Sequence, residues 1–173
     1  GLGPLAIGFS HQTLLPQLVE EQYGRGIGLM GLLQSVGAIG GLGGGLFIAS
    51  RREVSYKGRL MLLAALSYGI ALLGFAGANH MWMAFPLIIW IGASQTLFRA
   101  GNTATLMEIA PDRLRGRIIS ATLLDTALSP IAGLAAGLTA DLWGVSYGYI
   151  LLSVACLSVV ALTMLIYPKI KDV

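Results

Sequence analysis

Long apolar runs separated by short polar breaks dominate the chain. Five of them, residues 26–50, 60–79, 81–107, 118–140 and 145–167, hold few or no charged side chains. Each is at least about 20 residues long, enough at a rise of about 1.5 Å per residue to cross a hydrocarbon core about 30 Å thick. A sixth run, residues 2–15, is shorter and fits a re-entrant segment or a truncated helix. The chain opens at Gly1 without an initiator methionine and is apolar from Leu2, so we expect it to begin inside a membrane helix. No basic residues precede that run, which argues against a signal peptide. Strands of a transmembrane barrel would be about 10 residues long with alternating polarity, and these runs are too long and too uniform. The predicted fold class is therefore an all-α membrane protein of six transmembrane helices, the first of them truncated.

Composition sharpens this. Hydrophobic residues make up 55% of the 173 and mean hydropathy is +0.77, while charged residues make up 11% against about 25% in soluble domains. A soluble domain of this size could not hide so much apolar surface in one core, and a disordered chain would be polar and charge-rich. The 24 glycines would weaken soluble helices, but spanning helices tolerate glycine because lipid offers the backbone no alternative partner. Cys156 is the single cysteine and cannot pair within the chain; in its apolar run it reads as a small packing residue.

The basic residues set the orientation. Arg51, Arg52, Lys57 and Arg59 lie in one break, Arg113, Arg115 and Arg117 in another, and Lys169 and Lys171 near the C-terminus. Only Arg25 falls on the opposite side, whose other turns are residues 79–80 and 141–146. By the positive-inside rule the basic side, and with it the C-terminus, is cytoplasmic. Trp82, Trp143, Tyr147 and Tyr149 then fall near the outer helix ends, where an interfacial aromatic belt is expected. The net charge of +3 and pI near 9.3 are spread over short loops, so no nucleic-acid surface is indicated.

Displacing the chain against itself by 92 positions lays residues 24–46 on 116–138 without gaps. Nine pairs are identical: Gly24/Gly116, Arg25/Arg117, Ile27/Ile119, Leu32/Leu124, Ile39/Ile131, Gly41/Gly133, Leu42/Leu134, Gly45/Gly137 and Leu46/Leu138. The offset spans three helices, an odd number, so the second copy is inverted relative to the first. Inverted three-helix repeats, here about 1–80 and 81–173, are a building rule of secondary transporters. Within the repeat, Gly37, Gly41 and Gly45 recur every four residues, and Ser129, Gly133 and Gly137 occupy the equivalent places. Residues four apart share a helix face, and small residues there let two backbones approach closely in a bilayer.

Three stretches carry a family resemblance. Gly45-Leu46, Ala49, Arg51-Arg52 and Lys57-Gly58-Arg59 resemble the loop between the eighth and ninth helices of major facilitator superfamily transporters. The run from Pro111 through Arg113, Arg115, Gly116 and Arg117 to Ser120 looks like the following cytoplasmic loop of the drug and siderophore exporters. Ser129-Pro130, Gly133, Gly137, Ala140-Asp141 and Gly144 are similar to the eleventh helix of the enterobactin-exporter-like branch. The resemblance covers the whole chain and implies the C-terminal half of a twelve-helix protein whose N-terminal half is its partner. It further implies that the first and fourth helices of this half line a central cavity and that the second and fifth face the other half. The loop residues Arg51, Lys57, Arg59, Arg113, Arg115 and Arg117 would then take part in cytoplasmic gating, besides setting topology and contacting anionic lipid.

Polar residues inside the spans are the functional candidates. Arg99 and Asp125 interrupt the runs of the fourth and fifth helices. Each lies about nine residues, or roughly 14 Å, from its cytoplasmic boundary. An isolated charge there costs at least about 2.5–3.5 kcal/mol, so such groups pair or face a cavity. The two read either as a structural ion pair or as a proton- or substrate-coupled site. Gln95, Arg99 and Asn102 form one stripe of the fourth helix, and Thr122, Asp125 and Ser129 a similar one on the fifth. His11 and Gln12 are the strong polar groups of the first helix; a histidine titrates near neutral pH and could carry protons, or could pack by a hydrogen bond. Gln34, the lone amide of the second helix, reads as interhelical glue.

No constellation supports catalysis, a cofactor or a metal. His11, His80 and Cys156 are scattered, and the glycine run 40–45 is not followed by the Gly-Lys-Ser/Thr of a phosphate loop. The expected activity is that of a secondary active transporter in a bacterial inner membrane. It would move a small amphipathic molecule, siderophore or drug by proton-coupled efflux with alternating access. The alternatives are a non-transporting membrane scaffold or subunit, and a metabolite importer of the same fold.

Overall fold

The computed structural model describes the backbone of residues 2–24, 27–50, 57–78, 80–109 and 115–166, and the side chains of most of these from Ser10 onward. Among the described residues six helices follow one another: α1 (Leu2–Tyr23), α2 (Ile27–Ser50), α3 (Lys57–Ala76), α4 (Met81–Ile109), α5 (Arg115–Trp143) and α6 (Val145–Ile166). Among the described residues there is no strand. Among the described residues, four helical stretches are long and apolar enough to cross a membrane: Ile27–Ser50, Gly58–Ala76, Met81–Thr105 and Val145–Ile166. Of the other two helices, α1 has 22 residues and α5 has 29.

α1 outlasts its apolar run. The sequence places the end of that run at Leu15, yet the helix passes Pro16 and continues to Tyr23. Leu14, Leu15, Leu18 and Val19 are all buried and keep one apolar stripe facing inward, so packing carries the helix through its polar last turns. Those turns are held from outside. Gln17 Nε2 donates to Asp141 Oδ1 of α5 at 3.1 Å and to Glu21 Oε1 at 2.9 Å. Tyr23 Oη donates to the Ala78 carbonyl at 2.7 Å.

The break between α5 and α6 needs glycine. Gly144 has φ +99° and its N–H bonds the Ala140 carbonyl at 2.7 Å, a left-handed helix stop that L side chains resist. Immediately after it, the Val145 N–H donates to Glu21 Oε2 at 3.3 Å, which places a carboxylate at the positive end of α6. A Cβ at residue 144 would touch nothing within 4 Å, so Gly144→Ala should cost only the backbone term, about 1–2 kcal/mol. Thermal unfolding in detergent reads this directly, and an unchanged midpoint would show that the turn relaxes without strain.

The bundle pairs helices both adjacent and distant in sequence. α1 packs on α5 and α6, α4 packs on α2 and α3, and α3 packs on α6. In lipid such contacts depend on close van der Waals fit, since burial from hydrocarbon supplies little hydrophobic drive. The tightest seam runs between α2 and α4. A methyl at Gly40 would overlap the Ile89 carbonyl oxygen, one at Gly92 would overlap the Gly37 oxygen, and a Cβ at Gly44 would stand 2.6 Å from the Ala93 oxygen. A lesser seam joins α5 and α6, where a Cβ at Gly148 would lie 2.8 Å from the Ala136 oxygen.

The larger core gathers Leu14, Leu15, Leu18, Leu33, Tyr68, Leu72, Phe75, Tyr149 and Leu152. Phe75 and Tyr149 meet edge to face, 5.2 Å between centroids. Tyr149 is therefore no belt residue: it is fully buried, because it lies one turn into α6 on the face turned to α1 and α3. Trp82, Trp143 and Tyr147 do stand exposed near helix ends. Large apolar residues such as Leu42, Leu46, Leu134, Leu142 and Leu165 are also exposed, which is the surface a lipid solvent requires.

Candidate functional site

Three helices line a partly open cavity of about 280 Å³. α1 contributes His11, Gln12 and Leu15, α2 contributes Gln34, Gly37, Ala38 and Gly41, and α4 contributes Ile88, Ile91, Gly92, Gln95 and Thr96. Three carboxamides and an imidazole thus meet in a space walled by glycine backbone and small or branched apolar side chains. The glycines have a double role. Gly37 and Gly92 belong to the seam that draws α2 against α4, and with Gly41 they leave room where side chains would otherwise fill the space.

His11 is the most constrained of the polar set. It is buried, and its Nδ1 lies 3.0 Å from Tyr68 Oη of α3. The two rings stand edge to face at 72°. From the other side Tyr149 Oη of α6 donates to the His11 carbonyl at 3.1 Å. One residue earlier, Ser10 Oγ donates to the Ser129 carbonyl of α5 at 2.9 Å. This turn of α1 is thereby tied to α3, α5 and α6 at once. A transmembrane tyrosine with a polar partner is an apolar body with a directed handle. In the sequence Tyr149 stood out only as an interfacial aromatic and Tyr68 not at all, since it lies in an apolar run where only a search for polar groups at mid-span would have marked it.

The other sequence candidates take different places. Of the α4 stripe, Gln95 lines the cavity, Arg99 is exposed one turn further on, and Asn102 is buried. Ser94 is also buried and shares a 3.0 Å hydrogen bond with Ser67 of α3. Gly41 faces Thr96 of α4, where a Cβ would come 3.0 Å from Oγ1, and Gly133 of α5 faces Thr13 of α1 at the same distance. Gly45 is half-buried near Thr96, Ser129 is half-buried, and a Cβ on Gly137 would meet nothing within 4 Å. Residues 37, 41 and 45 therefore flank the closest line of approach, which runs through 40 and 44. Arg59 is exposed at the start of α3. The side chains of Lys57, Arg115, Arg117, Thr122 and Asp125, and the whole of Arg25, Arg51, Arg52 and Arg113, lie outside the described residues, as do Lys169 and Lys171. No group of three histidine, cysteine, aspartate or glutamate side chains among the described residues could hold a metal ion. Cys156 is buried, its sulfur 3.9 Å from the Ala65 carbonyl oxygen.

Comparison with known proteins follows on this geometry. The chain is similar to the staphyloferrin A transporter of Staphylococcus aureus (strain NCTC 8325 / PS 47). The two are 28% identical over 163 residues, which is 94% of this chain and 40% of the relative. The chain thus spans about 40% of the length of the curated relative it matches. No protein-family model matches the chain, and no solved structure matches it. The likeness is to a transporter, which agrees with a bundle of apolar helices around a polar-lined cavity.

Proposed function

We propose that this chain is the C-terminal six-helix half of a secondary active transporter of the major facilitator type. It would move a small polar or amphipathic molecule outward across a bacterial inner membrane by alternating access, coupled to protons. The observation that carries this reading is the cavity itself. Amides from α1, α2 and α4 converge on it, and His11 and Gln95 stand near the middles of their helices. Transporter substrates are bound at that depth, between repeats. Polar groups inside apolar spans are costly unless they face one another or a solvated path, and three amides and an imidazole around one space fit the second case. The similarity to a staphyloferrin A transporter supports transport, and a siderophore-like cargo is our extension of it.

The inverted repeat belongs to the same proposal. Exchange of α1 with α4, α2 with α5 and α3 with α6 carries the α1–α5 contact onto α4–α2 and the α1–α6 contact onto α4–α3. The threonine-to-glycine approaches at Gly41 and Gly133 exchange in the same sense. Both support units of about 1–80 and 81–173 related by inversion. The basic breaks then lie on the cytoplasmic side with the C-terminus, and the partner is an N-terminal half packed against α2 and α5.

Transport by the full-length protein in liposomes, with and without an imposed proton gradient, tests the whole reading. The expected result is gradient-driven accumulation of a staphyloferrin-type probe, abolished by Asp125→Asn with insertion and thermal stability retained. Normal, gradient-independent flux in Asp125→Asn would remove that residue from coupling. No flux of any probe by a folded protein would overturn the transporter reading.

A further inference from the structure

Two of the cavity amides have nothing in the folded chain to bond. Among the described residues the carboxamides of Gln12 on α1 and Gln34 on α2 make no hydrogen bond, and both are exposed residues that line the cavity. Gln12 stands near the middle of α1, and Gln34 lies about 10 Å inside the start of α2 at a rise of about 1.5 Å per residue. An amide left bare in hydrocarbon costs several kcal/mol, so each needs water or a bound molecule in the cavity. The walls that carry them scarcely touch. α1 is packed on α5 and α6, α2 is packed on α4, and direct contact between α1 and α2 is slight. Side-chain bonds of α1 run away from α2 as well: Ser10 bonds the Ser129 carbonyl, Gln17 bonds Asp141, and Gln22 Nε2 donates to Ser146 Oγ at 2.7 Å. Gln12 and Gln34 thus border one space from opposite sides.

The remaining lining residues narrow the chemistry of what fits between them. Among the described residues of the lining there is no Phe, Tyr or Trp and no Asp, Glu, Lys or Arg. A lipophilic cation is gripped by aromatic faces or by a nearby carboxylate. A carboxamide instead offers two N–H donors and a carbonyl acceptor, and so complements hydroxyl, carboxyl and amide groups. We propose that Gln12 and Gln34 are opposed binding residues that hold one oxygen-rich molecule, a hydroxy acid or polyol, at two points, and that the site does not take lipophilic cations. This rests on the cavity being the substrate site. The bound molecule supplies a link between α1 and α2 that the chain itself barely makes.

Thiol labelling of the full-length protein in lipid nanodiscs reads both the access and the occupancy of the site. The background is one free of reactive thiols, with the buried Cys156 removed as Cys156→Ser. Gln12→Cys and Gln34→Cys should each react with a charged, membrane-impermeant maleimide far faster than Leu32→Cys, which is exposed on α2 outside the cavity lining. Citrate, as a hydroxy acid, or mannitol, as a polyol, should slow both reactions, and tetraphenylphosphonium should slow neither. Gln12→Ala should raise the concentration needed to protect Gln34→Cys by roughly two- to tenfold, the worth of one neutral hydrogen bond, without moving the melting temperature. Ser35→Ala is the control: its hydroxyl bonds the Gly31 carbonyl, and its loss should leave protection unchanged. Failure of both thiols to react overturns the proposal, since side chains of another segment then cover the amides. Protection by tetraphenylphosphonium, or by none of the three probes, overturns the ligand class. Protection at one position alone, or an unmoved midpoint in Gln12→Ala, overturns the two-point grip. Protection by citrate or mannitol without flux of any probe in liposomes would instead sink the transport reading and leave the site standing, and gradient-driven flux without protection would do the reverse.

Discussion

Gly40→Ala should destabilise the bundle more than any other single methyl added to α2. The new Cβ would fall on the Ile89 carbonyl oxygen, and that oxygen is part of a helix backbone that cannot swing aside as a side chain could. The helices must separate along their whole contact, which loosens the fit at Gly44 and Gly92 as well. Overpacking of this kind typically costs about 1–3 kcal/mol, occasionally more. Gly43→Ala on the same helix is the control. Its Cβ would meet nothing within 4 Å, and replacing a mid-helix glycine by alanine should gain roughly 0.5–1 kcal/mol. Thermal unfolding of the two variants in one detergent should therefore bracket the unaltered protein. Equal midpoints would mean that α2 and α4 are not in backbone contact.

On the proposed transport reading, the largest effect on substrate binding is expected from the amides. Gln34 and Gln95 reach the cavity from α2 and α4 on either side of the glycine seam. A neutral hydrogen bond is worth about 0.5–1.5 kcal/mol net, so losing two should weaken substrate binding by roughly ten- to a hundredfold, at about 1.4 kcal/mol per tenfold. Gln34→Ala with Gln95→Ala should raise KM for transport by that factor and leave the melting temperature nearly unchanged, because both side chains border open space rather than filling the core. A double variant with normal KM but reduced stability would reassign the pair to holding the helices together.

Several features were legible from the residues in order. Run length alone marks the spans, because a hydrocarbon core imposes a length rather than a period, and five of the six runs coincide with helices to within a few residues of their ends. The α1 boundary was less legible. Its last two turns are polar on the outside, and the burial of Leu18 and Val19 with the bonds of Gln17 and Tyr23 to other segments holds them helical. The polar residues His11, Gln12, Gln34 and Gln95 stood out singly because a polar group in an apolar run is costly and therefore has a reason to be there.

What the linear order could not contain is which helix lies against which. The glycines of α2 announce a close approach, but small residues at 37, 41 and 45 and at 40 and 44 recur at the same spacing. Nothing local says which line meets α4. That choice depends on the crossing of two helices more than 40 positions apart, and it leaves Gly37 and Gly41 to border a space at the edge of the seam. The same crossing carries Gln34 to Gln95, and the fold of α3 and α6 around α1 turns Tyr68 and Tyr149 inward onto His11. By itself the sequence determined an apolar, glycine-rich helical chain with a few polar groups at depth. Only the tertiary structure decided that four of those groups share one cavity and that two tyrosines hold the histidine among them, because such meetings are set by non-local packing in which each helix answers to several neighbours at once.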